Sequence, residues 1–329
     1  MSENGFTHLH LHTQYSLLDG AVSLDKLFDR CKELGMDSVA MTDHGNMFGT
    51  IDFYNKAKAN GIKPIIGIEA YIAPDSRHDR QKSSMKEASS HLILLAETTE
   101  GYHNLLKLSS LGYTEGFYYR PRIDMELLAE YHEGIICTSA CISGDIPRAI
   151  LSGNHEKARK LAMGYVDIFG ADRFFIEIQD HPESDTPDIR KELVELAEEI
   201  GVGIIATNDV HFLNEEDYEA HDALTCISTG KRVTDEDRMQ YPKCLYLKSS
   251  QQMREMFAEY PQACDNTLAI AQRCNVEIDL ETQHAPVFTP PDGSTPEEYL
   301  TKKVYEGAEE LYGKITPEIK ERIDFRVIF

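Results

Sequence analysis

The chain has 329 residues and an apolar share of 41%, long enough for a sizeable core and within the span of an α/β barrel. Its 56 acidic against 33 basic residues leave a net charge of −23, which excludes a duplex-DNA binder relying on Lys and Arg alone, although divalent cations in a cleft reverse the local sign. No run reaches the ~20 apolar residues of a membrane helix, no signal peptide is expected, and seven cysteines without a CxxC pair point to a reducing, cytoplasmic setting with no membrane partner.

Residues 8–20 read HLHLHTQYSLLDG. Period-two alternation predicts a strand that sends His8, His10 and His12 to one face and Leu9 and Leu11 to the other, followed by an Asp-Gly turn. Neighbouring imidazoles are costly to bury unpaired and are good metal donors; the plainer alternative is a His-rich strand with its rings in solvent. Ser23 fits an N-cap ahead of a helix with Leu27, Cys31 and Leu34 on one face. A short buried strand over 37–43 runs into Thr42-Asp43-His44-Gly45, and a helix over 48–60 closes at Gly61. The β-prone run 63–72 (KPIIGIEAYI) holds Glu69 inside it. Residues 74–90 are polar and aperiodic and read as a loop; 91–96 (HLILLA) read as a strand, followed by a helix to Leu111.

Residues 112–123, running into GFYYRPRID (116–124), break the pattern with aromatics and arginines. A buried strand over 134–140 leads into Cys141, helices follow over 145–151 and 155–169, and a strand over 173–179 comes next. A helix over 187–200 precedes a strand at 203–207, which runs into Asn208-Asp209-Val210-His211. About seven strand–helix alternations with short links predict a parallel α/β fold, closed as a barrel rather than open. Beyond it, 214–229 and 250–274 read as helical around a short strand at 244–248, and a Pro-rich linker from Thr282 leads to a charged helical stretch. The domain division is expected at 1–285 and 286–329, with the last helix reading as interrupted, as in a piece of something larger.

Active sites of α/β barrels lie at the C-terminal strand ends. There the sequence puts His10, His12, Asp19, His44, Glu69, Cys141, Asp209 and His211, while His91 opens its strand instead of closing it. Singly, each has a structural explanation: a turn residue for His44, a small buried hydrophobe for Cys141, an ion pair for Glu69. Their recurrence at successive strand ends favours a metal cluster. Imidazoles, carboxylates and one thiol suit Zn²⁺, with Mn²⁺ or Fe²⁺ where oxygen donors dominate, and so many donors call for two or three ions. Such sites hydrolyse phosphate esters with hydroxide made from bound water and held by the cluster; loss of His12 or Asp209 is expected to abolish the reaction. Arg120 and Arg122 are candidates for holding a substrate phosphate, or else for pairing with the acidic exterior.

The motifs HLHLHTQYSLLDG, MTDHGNMFG, KPIIGIEAYIA, GFYYRPRID, TSACISG and ATNDVHFL, in that order, resemble the PHP (polymerase and histidinol phosphatase) family, and in particular its branch in bacterial replicative polymerases of the polymerase III alpha class. The resemblance implies a distorted (β/α)7 barrel, TIM-like, with extra C-terminal helices and a trinuclear metal centre. It places the family's ligands on His10, His12, Asp19, His44, Glu69, His91, Cys141, Asp209 and His211, none replaced by a non-ligating side chain. It also implies metal-dependent 3′–5′ exonuclease proofreading at a DNA primer 3′ end. The expected partners are the rest of a polymerase chain, whose palm, fingers and thumb do not follow, and a separate proofreading exonuclease subunit. A small-molecule phosphomonoesterase and a non-catalytic scaffold are the alternatives.

Overall fold

The computed structural model describes residues 5–182, 186–283 and 285–327. The chain forms two compact units, Met1–Ile278 and Asp279–Phe329.

The first unit is built on a mixed sheet. Its strands are β1 (Ser38–Met41), β2 (Lys63–Ile72), β3 (Ser90–Ala96), β4 (Arg122–Ile123), β5 (Ile135–Thr138), β6 (Phe174–Gln179) and β7 (Gly203–Thr207). The order is β1-β2-β3-β5-β6-β7, with the short β4 paired to the end of β2. Residues 8–13 make no regular strand, but their backbone bonds to both edges. On the β1 side Ala40 N–H donates to His8 O (2.9 Å) and Thr42 N–H to Leu11 O (2.9 Å). On the other side His12 N–H donates to Val210 O (2.8 Å) and Val210 N–H to His10 O (3.2 Å). This segment closes the sheet into a distorted α/β barrel.

The expectation of a parallel sheet needs correction, because β3 runs antiparallel to both β2 and β5. The reversal explains His91. At the start of an antiparallel strand it lies at the same end of the barrel as the C-terminal ends of the parallel ones, and it faces the same way as Glu69 through the register Tyr71↔His91 and Glu69↔Ile93.

The strand runs are apolar on both faces because both are covered. Ile65, Ile93, Leu95, Ile136 and Ile205 pack inside the barrel with Leu9, against Ile270 and Ala271 of the helix Pro261–Arg273. The alternate residues Ile66, Ile68, Leu92, Leu94 and Ile135 face outward onto the helices Thr99–Thr114, Asp145–Leu151, His155–Phe169 and Arg190–Ile200. Two further expectations are revised. Residues 244–248 contribute only an isolated bridge, Phe212↔Tyr246, and the helical stretch at 250–274 breaks into Ser250–Met256 and Pro261–Arg273, with Pro261 at the second N-terminus.

The second unit holds the helices Pro296–Tyr312 and Pro317–Val327. The first opens on a capping box in which Thr295 and Glu298 satisfy each other's backbone N–H groups, and the Tyr305 hydroxyl donates to Asp324 across the pair.

Candidate metal centre

All nine donors named from the sequence come together at the end of the barrel where β1, β2, β5 and β7 finish. His10 and His12 arrive on the closing segment and Asp19 on the turn after it. That turn needs Gly20, since a Cβ there would lie 2.2 Å from Thr13 O. Asp209 follows β7 with φ +50, a left-handed conformation that Asp tolerates better than most residues. His8, from the same alternation, lies outside the cluster, and its Nε2–H donates to Lys248 O (2.8 Å).

Three overlapping groups share members: His10, His12 and Glu69; His44, Glu69 and His91; His12, His44 and His211. Hydrogen bonds set the tautomers at the centre. His10 Nδ1–H donates to Glu177 Oε1 (2.7 Å), which leaves Nε2 bare. Ser16 Oγ–H is committed to Asp43 Oδ1 (2.7 Å), so the hydroxyl accepts from His12 Nδ1–H (3.1 Å) and leaves His12 Nε2 bare too. His211 Nδ1–H donates to Asp209 O (2.8 Å), and its Nε2 is buried with no partner.

The bare atoms then crowd one another. His10 Nε2 lies 3.1 Å from His12 Nε2 and 3.4 Å from Glu69 Oε1. Asp209 Oδ1 is 3.1 and 3.2 Å from the two nitrogens, and Glu69 Oε2 is 3.5 Å from His12 Nε2. Lone pairs facing each other at these separations repel unless a cation or a proton sits among them. Ligands about 2.0–2.1 Å from a tetrahedral Zn²⁺ stand about 3.3 Å apart, so the donors fit such an ion.

Proton equilibria carry the same signature. Burial disfavours charge on His10, yet Asp209, Glu177 and Glu69 outweigh it and raise its pKa well above the usual value. Burial likewise opposes the charge of Glu69, but His91, His44 and His10 hold its carboxyl well below the usual range. His12 is driven down to about 3 by burial and then by His44 and His211.

On the outer side, His91 Nδ1 is 2.9 Å from Glu69 Oε1 and His44 Nε2 is 2.9 Å from Asp19 Oδ2, while His44 Nδ1 also meets Glu69. Cys141 Sγ approaches Glu69 Oε1 at 3.7 Å and His91 Nδ1 at 3.8 Å. The cluster opens into a cleft of about 820 Å³, also lined by His181, Arg190, Tyr241 and Lys243.

The two arginines separate. Arg122 is fully buried and spends its guanidinium on the carbonyls of Gly116 (3.0 Å), Ala88 (3.2 Å), Arg77 (2.9 Å) and Asp79 (2.8 Å). It braces the loops, and the expectation that it holds substrate is overturned. Arg120 is exposed, with its guanidinium 5.6 Å from the Tyr71 ring, which stacks on His44.

The sequence reading passed over Glu177, Ser16, Asp43, His221 and Tyr241. His221 Nε2–H donates to Asp19 O (2.8 Å), and the Tyr241 ring lies 4.8 Å from His211. Glu177 carried a usable signal: in FFIEIQ it is a lone carboxylate inside an apolar strand, as Glu69 is in KPIIGIEAYI.

The sequence has relatives among known proteins. The chain belongs to the PHP domain family, whose sequence profile matches residues 8–181. Over 329 residues it is 44% identical to the DNA polymerase III subunit alpha of Treponema pallidum, covering 99% of this chain and 28% of that protein. It is also 44% identical to the subunit of the same name from Borreliella burgdorferi, covering 96% of this chain and 28% of that protein. The chain thus spans little more than a quarter of the length of these curated relatives. Among solved structures, it is similar to a two-domain protein from Bacteroides vulgatus containing a predicted PHP-like metal-dependent phosphoesterase, at 15% identity and a TM-score of 0.38, covering 85% of this chain and 72% of that one. No helix among the described residues is long and apolar enough to cross a membrane.

Proposed function

We propose that this chain is a metal-dependent phosphoesterase that removes nucleotides from the 3′ end of a DNA strand, with 1–285 as the catalytic domain and 286–329 leading toward a polymerase core. The observation that carries the reading is the set of bare, mutually repelling donor atoms of His10, His12, Glu69 and Asp209, buried together behind a cleft that Asp209, His44, His91 and His211 line. The nine donors would hold two or three divalent cations, Zn²⁺ being the best match and Mn²⁺ or Fe²⁺ next, and ions bound there would lower the pKa of a bound water and offset phosphoryl charge.

The chain's own part is to orient and to bind. Glu177 and Ser16 keep the protons of His10 and His12 on Nδ1, so that both Nε2 atoms are left as donors for a metal ion. His12 and Asp209 stand at the centre of the donor set, which makes them the residues whose loss stops the reaction. Arg120 offers a charged fork to a phosphate at the rim. The cleft volume suits a ligand of nucleotide size. The DNA part rests on the relatives, which are polymerase subunits. In that setting the partners are the primer 3′ end, the remainder of the polymerase chain and a proofreading exonuclease subunit.

The test is incubation of the purified chain with Zn²⁺ or Mn²⁺ and a labelled primer. Stepwise shortening is expected, lost in His12→Ala and Asp209→Ala. Cleavage of p-nitrophenyl phosphate with intact DNA points instead to a small-molecule phosphomonoesterase, and no cleavage with any divalent metal to a scaffold.

A further inference from the structure

We propose that the aromatic rim beside the cluster is a stacking platform for unpaired bases of single-stranded DNA whose 3′ end enters the cleft. The inference rests on the phosphoesterase reading above and adds what holds the strand.

The rim is a run of rings leading outward from the metal centre. Tyr71 stacks on His44 at 6.1 Å and meets His91 edge-on at 5.2 Å. Arg120 covers Tyr71 at 5.6 Å, and the Tyr113 hydroxyl lies within electrostatic reach of both. Tyr113 packs against Phe48 (5.9 Å) and Phe117 (6.2 Å). The last two leave the run for solvent: Phe48 is 59% exposed and Phe117 51%. Leu17, Leu18 and Tyr119 are exposed as well.

Independent support comes from the backbone. Among the described residues, the non-glycine positions in the left-handed region are Leu18, Tyr119, Ala140 and Asp209. Ala140 and Asp209 belong to the metal centre, while Leu18 and Tyr119 hold apolar side chains out into water on loops beside it. Strain of this kind persists where geometry serves binding.

The occupant follows from chemistry. Every base has a π-face, so exposed rings hold a strand without reading its sequence, and they do so in a protein whose charge repels phosphate. The one cation in the run, Arg120, makes no ion pair with a carboxylate among the described residues, and it stands two ring steps from His44, in position for a phosphate behind the one being cut.

The chain has no tryptophan, so Phe117→Trp installs a lone indole on the platform. With EDTA present to prevent cleavage, an oligothymidylate of about a dozen nucleotides should quench it, an abasic phosphodiester of equal length should not, and adding Phe48→Ala and Tyr113→Ala should weaken binding roughly tenfold. One phosphate contact predicts a shallow salt dependence, with a log–log slope of about −0.7. Equal quenching by the abasic strand, no quenching by either, or a slope several times steeper overturns the platform. So does quenching relieved by diluting the chain alone, which marks the rim as a self-association surface. Quenching without primer shortening by the unsubstituted chain removes the exonuclease reading and leaves the platform; shortening without quenching removes the platform alone.

Discussion

His10 Nδ1 and Glu177 Oε1 lie 2.7 Å apart with both side chains sealed from solvent. The carboxylate accepts the imidazole Nδ1–H and is itself held by the hydroxyls of Thr138 (2.6 Å) and Thr207 (2.5 Å). The ring therefore has one orientation and one free nitrogen. Glu177→Ala should lower metal affinity roughly 10–100-fold, read by competition with a chelator and by metal content per chain. Unchanged content would mean that the ring is oriented by packing alone.

Arg120 and Arg122 are predicted to behave as opposites. Removing Arg122 leaves four carbonyls without a donor, those of Gly116 and Ala88 buried and those of Arg77 and Asp79 partly so, and Arg122→Ala should cost on the order of 3–5 kcal/mol in urea unfolding. Arg122→Lys should not rescue it, because a point charge cannot reach carbonyls spread around a planar fork. Arg120→Ala should change stability by less than about 0.5 kcal/mol while raising KM for a DNA strand.

Gly45 has φ +61, and a Cβ there would lie 2.7 Å from the Tyr71 ring and 3.0 Å from Pro121. Gly45→Ala should destabilise by about 2 kcal/mol and push Tyr71 off His44. Thermal melting gives the first effect; the ¹H shifts of the His44 ring give the second.

His8 gives the fold a pH dependence that can be isolated. Burial holds its pKa down at about 4 against an ordinary 6.5, only partly offset by the bond to Lys248 O. The folded state therefore prefers the neutral ring. Its contribution is fully present above pH 6.5 and is lost as pH falls toward 4, by up to about 3 kcal/mol. His8→Gln, which keeps a donor for Lys248 O, should flatten the wild-type stability curve by up to about 1.4 kcal/mol per pH unit in that window and leave it unchanged above it. Urea melts of metal-free protein across the range check this.

Much of the centre was legible because its donors punctuate strands. His10 and His12 alternate with leucines, Glu69 interrupts an apolar run, and Asp209 and His211 follow one. Strand direction was not legible: HLILLA reads the same either way, so His91 looked out of place until the antiparallel pairing of β3 put it with the others. The fate of Arg122 was also hidden. Its acceptors are backbone carbonyls of Gly116 and of the aperiodic stretch 77–88, which the sequence reads as a loop and which in the structure ends in the short helix Met85–Ala88, and any sequence supplies carbonyls. Tyr241 sits in a turn-rich stretch without a period to place it.

The barrel closes through residues 8–13, which bond to Val210 on one side and to β1 on the other. During synthesis at ~5–20 residues per second, His10 emerges roughly 10–40 s before Asp209 and Val210 exist to receive it. Until then a growing chain presents imidazoles and an unpaired edge to the cell together, with a donor set still short of Asp209 and His211. Completion is thus a late event, and a ribosome stalled before Val210 holds a product in which residues 8–13 have no second edge to bond.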